Sequence, residues 1–287
     1  MKLTQRLAIN YLKIKFRLLA ILSKRQAAEK AFELFCTPQY RHKKNLPAKF
    51  LEAETLSTQF ETYQLAGYRW NKGAPRKLLI IHGFESSVVN YEHLIDPLVK
   101  INYEVLAFDA PAHGRSSGSK IDLLIFKRFI QHIHEKFGPV DAFIAHSFGG
   151  LALSLALEEM KQEETNKVVL IAPLTESTTS MDLFFEYLGL GDPVRTRFMH
   201  IILERSGQPA AWYSIRRAIP ALRAEVLWVH DEDDLLTPLS DALKVKEDQH
   251  ENIRFVITRG LGHRRIYRDA EVRSKIISFL DPGIPTG

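Results

Sequence analysis

Ala145-His146-Ser147-Phe148-Gly149-Gly150 is the stretch from which the rest of the chain is read. It sets one serine among small residues, between the apolar run Val140-Asp141-Ala142-Phe143-Ile144-Ala145 and the helix-forming run Leu151 to Met160. Strand, sharp turn and helix in that order hold a hydroxyl at a strand end, within reach of a base and of backbone N–H donors. A serine hydroxyl is a weak nucleophile at neutral pH, so it needs such a setting to react. Ala145 stands where the pattern G-x-S-x-G has its first glycine, and alanine is the next smallest side chain.

Working outward, short apolar runs alternate with amphipathic ones. Strands are expected at Leu78 to Ile81, Tyr103 to Phe108, Lys167 to Ile171, Val226 to Val229 and Arg254 to Ile257, with helices at Tyr91 to Lys100 and Ile121 to Phe137. Buried strands separated by helices imply parallel βαβ packing, with function at the carboxyl ends of the strands. Residues 50 to 70 alternate loosely, as in Phe60-Glu61-Thr62-Tyr63-Gln64-Leu65, which suits antiparallel edge strands before the turn Asn71-Lys72-Gly73-Ala74-Pro75.

The bulk composition, 287 residues with 45% hydrophobic and 25% charged, is that of an ordinary globular α/β protein with room for an insertion. A single cysteine, Cys36, excludes an internal disulfide and a cysteine metal cluster; it reads as a small buried hydrophobe, and a reducing, cytoplasmic setting is expected. The net charge of +5 is uneven: residues 1–50 carry +10 and the remainder −5. The basic character therefore belongs to the N-terminal segment and is no nucleic-acid footprint of the whole chain.

That segment is expected to be helical over 3–35, with Leu7, Tyr11, Ile14, Leu18 and Ile21 at steps of four and three and lysines and arginines between them. Lys13, Lys15 and Arg17 interrupt the apolar run well short of the roughly 20 residues a membrane span needs. The helix reads two ways, as one packed on the rest of the chain or on a partner subunit, and as a membrane-peripheral helix lying on anionic lipid; packing is the first expectation. Thr37-Pro38 ends it, and Arg41-His42-Lys43-Lys44-Asn45-Leu46-Pro47 reads as an exposed connector. Between Pro173 and about Pro220 the strand–helix alternation lapses into an aromatic-rich helical pattern that includes Phe184, Phe185, Tyr187, Phe198 and Trp212. The expected division is a basic helical extension over 1–48, a core over 49–173 and 221–287, and a helical cap over 174–220 that forms an apolar lid over an acyl pocket.

A serine nucleophile needs a base, a group that orients the base, and donors for the oxyanion. His263, in Gly260-Leu261-Gly262-His263 just after the last strand, is the candidate base. The orienting carboxylate lies in His230-Asp231-Glu232-Asp233-Asp234-Leu235-Leu236-Thr237-Pro238; Asp231 could simply end the strand and Asp233 cap a turn, so the residues alone leave the choice open.

With these stretches in view, and with Ile81-His82-Gly83-Phe84 and Asp109-Ala110-Pro111-Ala112-His113-Gly114-Arg115-Ser116 after the first two parallel strands, the chain resembles α/β-hydrolase-fold enzymes over roughly residues 50–281. The order serine, aspartate, histidine is the one this fold uses. The resemblance implies a mostly parallel central sheet flanked by helices. It assigns the acid to Asp234, four residues before Pro238, with Asp233 as runner-up, and notes Asp231 where relatives often have glycine. It also implies an oxyanion hole from the backbone N–H groups of Phe84 and Phe148, and no metal or organic cofactor. His82, His113 and His146 are expected to be structural, and Arg264 and Arg265 to pair with nearby carboxylates. The expected activity is hydrolysis of a carboxylic ester or thioester of a small molecule with an apolar acyl group, through an acyl-enzyme on Ser147. The alternatives are a C–C bond hydrolase or acyltransferase on the same fold, and a non-catalytic binding member.

Overall fold

A strand covered on both faces is apolar at nearly every position, whereas one covered on a single face alternates. The runs around Leu78, Val105, Ile144, Val169 and Leu227 are of the first kind, and all five of these residues are buried. The computed structural model describes residues 3–41, 45–164 and 166–283. In chain order the first elements are α1 (Leu3–Leu22), α2 (Lys24–Phe35), α3 (Ala48–Leu51), β1 (Glu54–Phe60), β2 (Tyr63–Trp70) and β3 (Arg76–Ile81). Then come α4 (Glu92–Lys100), β4 (Tyr103–Phe108), α5 (Leu123–Phe137), β5 (Ala142–His146), α6 (Phe148–Leu157) and β6 (Lys167–Ile171). The chain continues through α7 (Ser177–Leu188), α8 (Asp192–Ser206), α9 (Ile215–Ala218), β7 (Glu225–Asp231), α10 (Leu239–Glu247), β8 (Ile253–Thr258), α11 (Gly262–Arg265) and α12 (Ala270–Leu280).

The eight strands form one sheet in the order β1-β2-β4-β3-β5-β6-β7-β8. β1 and β2 are antiparallel, β2 is antiparallel to β4, and every later pairing is parallel. Register brings the carboxyl ends of β5, β6, β7 and β8 level, with His146 opposite Ile171 and Asp231 opposite Thr258. The expected edge strands are present, but Phe60 to Leu65 is not one strand. Phe60 pairs with Tyr63 across a hairpin whose two-residue turn is Glu61-Thr62, with Glu61 at φ 48°. Alternation alone cannot locate a turn made of residues that also suit a strand. On one face of the sheet Phe50 anchors the core, with its ring edge-on to Tyr68 and Trp70 at 4.9 Å from each.

The chain divides into two compact units, one formed by the segment up to Thr37 together with Glu176–Ser214, the other by Pro38–Thr175 with Ile215–Gly287. The N-terminal helices and the helical insertion, separate in the sequence reading, thus share a unit. Aromatic contacts make its core: Phe198 of α8 lies 5.6 Å from Phe32, 5.7 Å from Phe35 and 5.1 Å from Phe185, with Phe35 also 5.1 Å from Phe184. Cys36 is buried there. The single helix expected over 3–35 is broken at Ser23, whose extended backbone caps α2 and whose hydroxyl accepts from the Gln26 N–H. In α1, Phe16 is buried, while Tyr11, Ile14, Leu18, Ile21 and Leu22 are between 57% and 82% exposed. The stripe predicted to pack inward therefore faces outward, because the helix buries the side carrying Phe16. The side chain of Leu7 and the connector residues His42, Lys43 and Lys44 lie outside the described residues. Among the described residues no helix is long and apolar enough to cross a membrane.

Candidate active site

β5 delivers its apolar side chains to both faces of the sheet and ends at His146; the next residue must leave the strand at once for α6 to start. Ser147 does so at φ 56°, ψ −127°, a conformation that costs an L-residue of order 1–3 kcal/mol. The turn is pinned by Ser147 N–H donating to Ile171 O at 3.1 Å, while Ser147 O accepts from Gly150 N at 2.9 Å and Leu174 N at 3.0 Å. Gly149 is required by contact, since a Cβ there would lie 2.4 Å from His82 O. Ala145 is an ordinary buried strand residue opposite Ile81 and Leu170, where a methyl group fits.

Three strand ends bring three side chains together. Ser147 Oγ donates to His263 Nε2 at 2.9 Å, and His263 Nδ1 donates to Asp234 Oδ2 at 2.7 Å. This is the nucleophile–base–orienter geometry of a serine hydrolase. Asp234 follows β7 and is buried; its Oδ1 accepts from the N–H groups of Leu236 at 2.9 Å and Thr237 at 3.0 Å, and its Oδ2 from Thr237 Oγ1 at 2.8 Å. Burial alone would raise its pKa, but the bond and charge of His263 together with the Thr237 donors lower it to about 2. Asp233 does not reach His263; it is exposed and accepts from Gly260 N at 3.0 Å. Thr237 is the site residue that sequence reading missed, although its position between Asp234 and Pro238 carries the signal of a side chain that bonds back three residues.

Phe148 opens α6, where the first N–H groups have no acceptor within the helix. Phe84 follows Gly83, and a Cβ on Gly83 would lie 2.9 Å from Ser147 Cβ, so the loop after β3 runs beside the nucleophile. The rings of Phe84 and Phe148 meet edge to face at 5.9 Å, and Phe126 lies 5.5 Å from Phe148.

The three other histidines of the motifs bind loop main chain. His82 Nδ1 donates to Gly83 O at 2.7 Å and its Nε2 accepts from Ala110 N at 3.0 Å. His113 Nδ1 donates to Pro111 O at 2.9 Å and its Nε2 accepts from Glu85 N at 3.0 Å. His146 Nε2 donates to His263 O at 3.0 Å, with the two rings 4.6 Å apart. Burial lowers their pKa values to about 4, 3 and 3 respectively, so all three rings are neutral at neutral pH. Arg265 departs from expectation: its guanidinium donates to the carbonyls of Leu261 and Gly260 and, among the described residues, pairs with no carboxylate, because the tight loop turns those two oxygens toward it.

A family model described as serine aminopeptidase, S33, matches residues 73–204, a range that holds Ser147 and stops before Asp234 and His263. Among curated proteins the chain is similar to the uncharacterized hydrolase YugF of Bacillus subtilis, 28% identical over 133 residues, 44% of each chain. It is also 28% identical to the monoglyceride lipase of Rattus norvegicus over 121 residues, 39% of this chain and 40% of the lipase. The matches span between 38% and 44% of the length of the curated relatives. Of solved structures, an esterase of Pyrococcus furiosus superposes with a TM-score of 0.65 at 19% identity, covering 86% of this chain and 97% of that one. A membrane phospholipase A, a bacterial virulence factor, does so with 0.60 at 19%, covering 80% and 86%. At these identities the likeness is one of fold. With the strand order, the elbow at Ser147 and the histidine and aspartate aligned behind it, the chain has the α/β-hydrolase fold and carries a site of the serine-hydrolase type.

Proposed function

We propose that the chain hydrolyses carboxylic esters, or thioesters, whose acyl part is apolar. The observation that carries this reading is the continuous chain from Ser147 Oγ through His263 to Asp234. Ser147 Oγ attacks the carbonyl carbon as its proton passes to His263 Nε2, and the N–H groups of Phe84 and Phe148 receive the oxyanion. Asp234 holds the imidazole tautomer and stabilises the imidazolium, which returns the proton to the departing alcohol or thiol. Water then attacks the acyl-enzyme by the same route and frees the acid. The phenylalanine rings beside the nucleophile favour an apolar acyl group. Esterase, lipase and phospholipase names among the similar proteins point the same way. A fluorophosphonate probe should label the protein and fail to label Ser147→Ala; equal labelling of both sinks the reading. A series of p-nitrophenyl esters of rising acyl length beside a thioester then fixes the substrate class.

The partner of α1 in this reading is an anionic lipid surface. Its exposed stripe of Tyr11, Ile14, Leu18, Ile21 and Leu22 is edged by exposed Lys15 and Arg17, and the helix contains four basic residues and no acidic one. Lys and Arg at the edge of an apolar stripe can lie at the headgroups while the stripe enters the acyl boundary. Two copies meeting through this face would bring like charges together. Sedimentation with phosphatidylglycerol vesicles but not phosphatidylcholine vesicles at low salt is expected; equal recovery with both, or a dimer that forms through this face, removes the lipid reading.

A further inference from the structure

Asp231 is the last residue of β7. Its side chain is fully buried, yet the proposed chemistry gives it no part. A buried carboxylate is costly unless its oxygens are satisfied, and here both are. Oδ1 accepts from Gly262 N at 2.8 Å and Asp233 N at 3.0 Å; Oδ2 accepts from Thr258 Oγ1 at 2.7 Å and Leu261 N at 3.1 Å. Burial pushes this carboxyl up, and the four donors more than offset it, leaving it below the ordinary aspartate range. The two main-chain donors from the far side of the site are the residues immediately before His263. Gly262 has φ +60°, which turns its N–H and that of Leu261 toward the same point.

We infer that Asp231 is a positioning residue for the reaction: its carboxylate clamps the backbone of Leu261-Gly262 to the end of β7 and so sets where the His263 imidazole stands between Ser147 and Asp234. Asp234 holds the ring of His263, and Asp231 holds the chain that carries the ring. Neither substitutes for the other, because one bonds Nδ1 and the other bonds main chain two residues away. The inference rests on the serine-hydrolase reading above. Since misplacing a reacting group by about 1 Å costs on the order of 10²-fold, loss of the clamp should appear in kcat and leave substrate binding nearly untouched.

The test is Asp231→Ala, assayed for kcat and KM on a p-nitrophenyl ester and for the rate of fluorophosphonate labelling. The substitution leaves three N–H groups and one hydroxyl facing a hole the size of a carboxylate. Formate should therefore raise kcat in a saturable manner, and chloride at the same ionic strength should not. The expected result is a fall in kcat of about 10²-fold with KM little changed, partly reversed by formate. A wild-type kcat in Asp231→Ala, or a lowered kcat that formate leaves unmoved, overturns the inference. If that variant does not fold, Thr258→Ala decides, because it removes one of the four donors: a several-fold lower kcat at constant KM supports the clamp and an unchanged kcat overturns it. Wild-type protein that resists the fluorophosphonate would instead overturn the hydrolase reading. Wild-type protein that labels, beside an Asp231→Ala that labels equally fast, would overturn the clamp alone.

Discussion

The loops after β5, β7 and β8 and the helix α1 break the usual rule of apolar inside and polar outside in opposite directions. At these strand ends and in the loops that follow, Asp231, His146 and Asp234 are buried; in α1, a row of large apolar side chains lies open. Every buried carboxylate oxygen of the loops has a donor within 3.1 Å, so the cost of burial has been met by a defined set of partners. Among the described residues no such set of partners organises the outer stripe of α1. Buried polar groups thus mark where the fold is tuned to one geometry, and the exposed apolar stripe marks where it is not. The two regions should therefore respond to pH and to substitution on very different scales.

The largest contrast is expected on acidification. His82, His113 and His146 have folded pKa values of about 4, 3 and 3, below the 6.5 of a free imidazole. Below pH 6.5 the unfolded chain takes up protons that the folded chain refuses, so each ring withdraws stability as the pH falls, until its folded value is reached. Between pH 6.5 and about pH 5 that amounts to roughly 1.5 kcal/mol per ring, a large share of a typical domain's stability when three rings act in the same direction. Asp234 acts in a lower window: with a pKa lowered from 3.8 to about 2, its stabilisation is complete above 3.8 and is lost as the pH falls toward 2. Urea denaturation near pH 7 and near pH 5 should therefore give far apart midpoints, well above the window in which Asp234 titrates. Coincident midpoints would mean that the three rings are not held neutral, and the contrast between loops and helix would fail at its base.

Next in size is the loss of the orienting carboxylate. Asp234→Asn keeps the shape of the side chain, but its amide presents a donor where His263 Nδ1–H needs an acceptor, or gives up the bonds from Leu236 and Thr237. A fall in kcat of about 10⁴-fold is expected, with Asp233→Asn close to wild type because the exposed Asp233 carboxylate accepts from the main chain of Gly260 and does not bond His263. If Asp233→Asn were the more damaging of the two, the assignment of the orienting group would be reversed.

The strand–helix alternation and the main-chain-bonded histidines were legible, because each depends on spacing and residue type within a short stretch; the choice of Asp234 among its neighbours came from the resemblance and not from the residues alone. Other features, besides Thr237 and the helix break at Ser23, were not legible. The hairpin turn Glu61-Thr62 uses no glycine or asparagine, so nothing separates it from the alternating run around it. The carboxylate of Asp231 meets Leu261 and Gly262, thirty residues along the chain, and only the parallel pairing of β7 with β8 brings them together. Arg265 was expected to find a carboxylate by charge and instead finds carbonyls, because the loop conformation decides which acceptors it can reach. Periodicity likewise showed that α1 has an apolar stripe, but a stripe does not say what covers it.

The smallest effect is expected on that stripe, and it divides one helix in two. Phe16 lies on the buried side of α1, and Phe16→Ala should destabilise the unit by about 3 kcal/mol, as an aromatic truncation in a packed core does. Ile14→Ser and Leu18→Ser, two residues away on either side, remove apolar surface that water already reaches, so the stability change should stay within about 0.5 kcal/mol. The same pair should abolish recovery on anionic vesicles, since the stripe is what would enter the lipid. Thermal denaturation and vesicle sedimentation on the same three variants thus separate packing from surface. If Ile14→Ser and Leu18→Ser were as destabilising as Phe16→Ala, the stripe would be a packed face, and α1 would follow the same rule of buried, partnered groups as the loops around His263.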